Sequence, residues 1–207
     1  MEGIPLVLAN TVLFVALGVV AAAILIPAIW VISVYNGLRR SQVRAKNAFS
    51  QIDVQLKRRF ELIPNLVETV KGYMQHERST LEAVIAARAQ AAGALGAAQG
   101  AMLGVSAITN LANASTALDG ALGRLMGLVE AYPELKANQN ALQLQEELAS
   151  TENRIAFARQ AYNDSVMRLN EQIVVFPASI VARTFGIGEM GLFEADAAAR
   201  AAVAVKF

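Results

Sequence analysis

Residues 4–35 read IPLVLANTVLFVALGVVAAAILIPAIWVISVY and contain no charged side chain. An α-helix needs about 20 apolar residues to cross the hydrocarbon core of a bilayer. Because that core offers no water to backbone N–H and C=O groups, a spanning segment must be helical. The stretch therefore predicts a transmembrane anchor over residues 1–36, whose lipid-facing side chains include Leu6, Phe14, Leu25, Trp30 and Tyr35.

A cleaved signal peptide is the alternative interpretation, and it requires a basic segment followed by a shorter apolar one. Here Glu2 is the charged residue before the stretch, and the stretch is too long. Arg39, Arg40 and Arg44 follow it and are expected to contact lipid headgroups. The positive-inside rule then predicts a single-pass protein of the inner (plasma) membrane, with its N-terminus outside and the bulk of the chain in the cytoplasm.

Composition limits the classes of function that the remaining chain can serve. The protein has 207 residues and a net charge of +1, which argues against a general nucleic-acid binder. It has no cysteine, so disulfides and thiolate chemistry are excluded. After the anchor, about 170 residues are enough for one domain with its own core.

The periodicity of residues 37–175 predicts amphipathic helices. Proline disfavours helical geometry at the preceding residue, so Pro64 predicts a turn between a first and a second helix; one long helix kinked at Pro64 is the alternative. The apolar stripe of the first helix is Ala48, Ile52, Leu56, Phe60 and Ile63, and that of the second is Val67, Val70, Met74, Leu81, Val84 and Ile85.

A third and a fourth helix have coiled-coil-like heptad seams. Pro133 is expected to end the third, the Asn138 region to begin the fourth, and Phe176-Pro177 to stop it. Four such segments with short connections predict an all-α chain, namely a transmembrane helix followed by an up-and-down antiparallel four-helix bundle. The third seam runs from Ile108 through Leu118 and Leu125 to Tyr132, and the fourth from Leu144 through Ile155 and Tyr162 to Ile173.

An uncharged stretch rich in Ala and Gly lies between Arg88 and Asp119. Gly96, Gly100 and Gly104 are spaced by four residues, which allows helix backbones to approach closely. The stretch is interpreted either as a flexible loop or frayed helix ends, or as a self-association surface that includes these three glycines.

Residues 176–207 form an apolar tail. Phe176, Phe185 and Phe193 could lie in the membrane interface, and capping of the bundle core is the alternative. A last short helix is expected over residues 195–204.

Several motifs in the bundle resemble the LemA family. The resemblance covers roughly residues 35–193 and implies one N-terminal membrane helix, a short exterior N-terminus and a cytoplasmic four-helix bundle, and it implies little about chemistry. The motifs are QIDVQLKRR (51–59), LIPNLVETVKGY (62–73), YP (132–133), LKAN (135–138), QEEL (145–148), TENRI (151–155), YN (162–163), FP (176–177) and FG (185–186).

The residues that carry catalysis in other proteins are sparse. His76 is the one histidine, and Thr80 stands where a zincin has its second histidine, so His76 is interpreted as a surface or interhelical residue. No phosphate-binding loop, nucleophile elbow or dinucleotide fingerprint is present, and no cofactor or metal is expected. The carboxylates are interpreted as partners in ion pairs with Lys and Arg; these are Asp53, Glu61, Glu68 and Glu82.

Three hypotheses follow for function. The first is a non-enzymatic, homo-oligomeric membrane scaffold that organises or remodels the membrane, with lipid as its partner. The second is an adaptor or sensor that presents the bundle to a membrane protein such as a protease or histidine kinase; a polar strip of Gln51, Gln55, Gln145 and Asn153 would then be its docking face, unless these residues set helix register. The third, a hydrolase or metal enzyme, is disfavoured.

Overall fold

The computed structural model describes residues 3–74 and 76–193, and this part of the chain contains helices and turns but no β-strand. The all-α prediction is confirmed. The helices are α1 (Gly3–Lys71), α2 (Arg78–Gly100), α3 (Val105–Ala131), α4 (Pro133–Lys136), α5 (Gln139–Val174) and α6 (Ala178–Thr184).

The described residues form two compact units. The first contains residues 3–40 and 172–188, and the second contains residues 41–171 and 189–193. The second unit is the predicted bundle, in which the continuation of α1 packs with α2, α3 and α5 around an apolar core. Because each helix turns one stripe inward at spacings of three and four, the core is continuous. Its fully buried side chains include Ile52, Leu56, Ile63, Leu66, Ile108, Leu111, Leu118, Leu125, Ile155 and Tyr162.

The predicted turn at Pro64 is wrong, because α1 continues through it to Lys71. Proline has no N–H to donate to the carbonyl four residues earlier, which is that of Phe60. Arg88 of α2 donates its Nε–H to this Phe60 oxygen at 3.0 Å. A side chain from a neighbouring helix therefore satisfies the acceptor that proline leaves unpaired, and α1 ends only at Lys71, before α2 begins at Arg78.

The predicted loop in the Ala/Gly stretch is confined to four residues. Helix α2 extends to Gly100, and the chain reverses through Ala101–Gly104 with positive φ angles at Met102 (49°) and Leu103 (62°). The amide of Leu103 donates to the carbonyl of Ala98 at 3.0 Å and closes the end of α2. Alanine favours the helix enough to outweigh the glycines once one face of α2 is buried.

The predicted boundaries of the third and fourth helices are confirmed. Helix α3 ends at Ala131, two residues before Pro133. The Asn138 side-chain oxygen accepts from the amides of Asn140 (3.0 Å) and Ala141 (3.2 Å), as an N-cap does for α5. Helix α5 ends at Val174, before Phe176-Pro177. The helix expected over residues 195–204 lies outside the described residues.

Candidate functional site

The first unit contains the predicted membrane anchor. By length and composition, α1 is the one helix in the described part of the chain that could cross a membrane, and its apolar window is exposed to the surroundings. Phe14, Leu25 and Trp30 are 72%, 57% and 40% exposed, and Leu6 lies in the first turns of the helix. Side chains this apolar, exposed on every face of one helix, are typical of a segment whose solvent is lipid.

An aromatic and basic cluster lies where the uncharged stretch ends. The rings of Tyr35 and Phe185 are 4.7 Å apart between centroids. Arg39 donates its Nε–H to the Tyr35 hydroxyl at 3.1 Å, and its guanidinium carbon is 5.3 Å from the Tyr35 ring centroid. Arg39, Arg40 and Arg44 are all exposed. Aromatic rings beside arginines are the composition that proteins use at the headgroup level of a bilayer.

The three tail phenylalanines differ in their surroundings. Phe176 and Phe185 are 76% and 46% exposed, whereas Phe193 is 5% exposed and lies in the second unit beneath Arg159. The first unit thus has an exposed apolar patch, and the third phenylalanine belongs to the bundle core instead. The other large members of the patch are Val174, Val175 and Ile180.

Sequence reasoning missed a charge cluster inside the bundle. Arg59 is 5% exposed, and it is bound by Asp119 of α3 (Nη2 to Oδ1, 2.6 Å) and by Glu152 of α5 (Nη1 to Oε2, 2.9 Å). Arg59 occupies a seam position between Leu56 and Ile63, where apolar residues are the rule. That spacing is the signal that could have identified it as a buried cation.

Arg159 of α5 is the second cation of this cluster. Its pKa is lowered by burial, and this effect is only partly offset by the nearby carboxylates of Asp119 and Glu152. Its guanidinium carbon lies 4.5 Å from the Phe193 ring centroid, and its Nε and Nη2 atoms have no hydrogen-bond partner among the described residues. The two arginines and two carboxylates together give the cluster no net charge. A neutral buried cluster of this kind is better suited to fixing the register of α1, α3 and α5 than to transferring protons.

An open groove of about 510 Å³ between α3 and α5 reaches this cluster. Its lining includes Arg59, Asp119 and Glu152, with Gln145 from the predicted polar strip. The other members of that strip differ in their surroundings. Gln51 and Asn153 are exposed, whereas Gln55 has a buried side-chain oxygen with no hydrogen-bond partner in the part of the chain that the structure describes. The apolar part of the lining is Leu122, Met126, Leu148 and Ala149.

The three glycines of the predicted self-association surface also differ in their exposure and in the space around them. Gly96 and Gly100 are exposed on α2, and a Cβ at either position would meet nothing within 4 Å. Gly104 is half-buried at the start of α3, where a Cβ would lie 3.3 Å from the Ala101 carbonyl oxygen. The first two therefore leave an open, small-residue surface on the bundle.

The other polar residues singled out in the sequence are a histidine and carboxylates that form local ion pairs. His76 is exposed in the turn between α1 and α2. Asp53 pairs with Lys57 at 2.8 Å. Glu68 pairs with Lys71 and Glu82 with Arg78, at 3.5 and 2.8 Å. Among the described residues no group of His, Asp or Glu could hold a metal ion.

Comparison with known proteins identifies the family to which this chain belongs. A model of the LemA family matches residues 48–207. The Protein LemA of Metamycoplasma hominis is 26% identical over 161 residues, which are 78% of this chain and 69% of that protein. The magnetosome protein MamQ of Magnetospirillum gryphiswaldense is 26% identical over 174 residues, and the match spans 77% of this chain and 64% of MamQ. With a bundle of the expected form and a family match over most of its length, this chain belongs to the LemA family.

Proposed function

We propose that this protein is a non-enzymatic scaffold, tethered to the inner membrane by the first part of α1, that self-associates on the cytoplasmic side and organises the membrane. The observation that carries the proposal is the exposure of residues 13–30 of α1, all apolar or glycine, in a helix that continues into the bundle without a break. Exposing such a surface to water is unfavourable by about 25 cal/mol per Å², so lipid is the favoured surrounding.

The membrane contact extends beyond the spanning segment in this proposal. Arg39, Arg40 and Arg44 would bind anionic headgroups, each contributing about 1 kcal/mol. Phe176 and Phe185, which are exposed in the same unit as the anchor, would enter the interfacial layer. The positive-inside rule supports the orientation with the N-terminus outside.

Self-association would use the outer face of α2. Gly96 and Gly100 are exposed and uncrowded, so the backbone of a second helix could approach closely there. One of the relatives is named a magnetosome protein, which agrees with a role at a membrane. The scaffold needs no catalytic group, and the cluster around Arg59 contributes to register within each bundle.

The test is the mass of the full-length protein in its native lipid, measured by native mass spectrometry. Wild-type protein is expected as an assembly of several copies, and Gly96→Leu with Gly100→Leu is expected to reduce the number of copies. Gly127→Leu is the matched control, because Gly127 is also an exposed helical glycine with nothing within 4 Å of a Cβ. A monomeric wild type would overturn the self-association, and equal effects of both variants would exclude the α2 face.

A second candidate function is an adaptor or sensor that docks a membrane protein, such as a protease or histidine kinase, on the bundle. The open groove lined by Gln145 and the Arg59 cluster favours it, because a groove lined by both apolar and polar residues suits a protein segment. Crosslinking in native membranes distinguishes the two. Recovery of a second protein that Gln145→Ala loses and Asn153→Ala retains would favour the adaptor, and recovery of this chain alone would favour the scaffold.

A further inference from the structure

A short extended segment, residues 189–193, is held on the bundle by two asparagines of α5; we call it the strap. The Asn170 side chain accepts from the Met190 amide at 3.1 Å and donates to the Met190 carbonyl at 2.9 Å. The Asn163 side chain does the same for Phe193, at 2.7 and 3.2 Å. Each asparagine thus binds both polar groups of one residue's main chain.

The spacing of the two asparagines matches that of the two residues they bind. Seven residues of α-helix rise about 10.5 Å, and three residues of extended chain advance about 10 Å. Asn163 and Asn170 are therefore in register with Phe193 and Met190 along an antiparallel path. A ladder of this kind recognises an extended main chain regardless of most of its side chains.

Between Met190 and Phe193, Gly191 lies in a slot that only glycine can enter. The Gly191 amide donates to the Leu103 carbonyl at 3.0 Å, and the Tyr162 hydroxyl donates to the Gly191 carbonyl at 2.7 Å. A Cβ on Gly191 would lie 2.8 Å from Cβ of Ile108 and 2.9 Å from Cα of Val105. The start of α3 therefore excludes every side chain at this position.

Two large side chains flank the slot and anchor the strap. Met190 and Phe193 are 3% and 5% exposed, and Arg159 lies over the Phe193 ring. The groove formed by α5 and the start of α3 is consequently a built peptide-binding site, selective for a large apolar residue at position 190, a glycine at 191 and an aromatic residue at 193.

We propose that this groove also binds the strap of a second copy, so that neighbouring chains are linked by strap exchange. The groove and its ligand are separate stretches of the chain, and Gly186-Ile187-Gly188 precedes the strap, with φ of +64° at Gly186. Gly188 lies between the buried Ile187 and the strap, and a glycine can redirect the segment that follows it without steric cost. The proposal rests on the self-association proposed above, because tethering to a membrane raises the concentration at which straps and grooves meet.

Exchange has a geometric consequence. A strap donated to one neighbour and a groove filled by another form a heterologous contact, which makes rings or open chains. The chain thereby contains a route from monomer to extended assembly that leaves the fold of each bundle unchanged.

The experiment uses two full-length variants with different affinity tags, co-expressed in membranes. Asn163→Ala with Asn170→Ala removes the groove's ladder and keeps the strap, whereas Gly191→Leu blocks the strap and keeps the groove. Neither variant can fill its own groove, but the strap of the first fits the groove of the second. Co-purification of the mixed pair is expected to exceed that of either variant with itself by roughly a hundredfold, as for an avidity gain at its low end.

The control and a second measurement keep the result interpretable. Asn153→Ala removes an exposed asparagine of α5 away from the strap contacts, and it is expected to leave co-purification unchanged. A photo-crosslinker at Leu192, in wild-type chains carrying light and heavy isotopes, is expected to yield mixed light–heavy products. Crosslinks solely within one chain would overturn strap exchange, even if the variants fold poorly.

The outcomes also separate this proposal from the proposed function. If wild-type copies associate but the mixed pair gains nothing, strap exchange is wrong and another surface mediates the assembly. If wild-type copies do not associate at all, both the scaffold and strap exchange are wrong.

Discussion

The two parts of α1 differ in how apolar side chains are distributed around one helix axis. Over residues 13–30 they cover every face, and all are exposed. Over residues 45–70 they recur at spacings of three and four, and these are buried while the residues between them are largely exposed. The backbone is the same in both, so the distribution alone indicates that one part requires an apolar surrounding on all sides and the other on one side.

The largest effect is expected from charging the first part. Leu17→Arg with Val20→Arg places two cations near the middle of the uncharged stretch, at a cost to membrane insertion of about 2.5 to 3.5 kcal/mol each. The double variant is expected to leave the membrane fraction on carbonate extraction. Leu17→Val with Val20→Leu is the apolar control and should remain; retention of the arginine variant would mean that this part of α1 is not in lipid.

A smaller effect is expected from truncating one buried side chain in the second part. Leu56→Ala removes a fully buried side chain and should lower the free energy of unfolding by about 2 to 5 kcal/mol. Val54→Ala, at a 56% exposed position two residues away, should change it by less than about 0.5 kcal/mol. Denaturant titration of the protein in lipid nanodiscs measures both, and similar losses would mean that α1 does not pack by one face.

The smallest effect is expected on the pH dependence of stability, through Tyr162, which packs against the second part of α1. Tyr162 lies edge-on to Phe49 of α1 at 5.6 Å, and burial raises its pKa above the ordinary value of 10.0. The unfolded chain therefore releases this proton first, so the stability that Tyr162 contributes is complete below pH 10 and declines as pH rises from there towards the raised pKa.

The corresponding variant is Tyr162→Phe, which does not titrate. Between pH 9 and about pH 11, wild-type protein is expected to lose more stability than this variant. The comparison subtracts the titration of the other tyrosines and the lysines, which both proteins share. Parallel curves for the two proteins would show that the Tyr162 hydroxyl is equally accessible in the folded and unfolded chains.

Sequence reasoning predicted the fold wherever a local pattern was sufficient. Such local patterns are the uncharged stretch, the apolar stripes and the helix boundaries at Pro133 and Asn138. Each of them corresponds to a helix or a helix end in the structure. Pro64 was misread because the Arg88 side chain that satisfies Phe60 comes from another helix. The prediction failed because the two interacting residues are far apart in the sequence, and not because the helix propensity is weak.

The same obstacle applied to the candidate sites. Arg59 was not identified as a buried cation, since its partners Asp119 and Glu152 come from two other helices. Asn163 and Asn170 were not identified as binding residues, because the segment that they bind has no periodicity to reveal it. Phe193 was grouped with the interfacial tail for lack of any local sign that the strap returns to the bundle.

The strap also determines how freely its sequence can change over generations. The strap makes its hydrogen bonds through its own main-chain atoms. Substitutions at the exposed Glu189 or the half-buried Leu192 therefore leave these bonds intact. Gly191 has no such freedom, because any heavier residue would collide with the start of α3. Selection would therefore act on Gly191, on the two asparagines and on the buried Met190 and Phe193, whereas Glu189 and Leu192 could vary while the contact is kept.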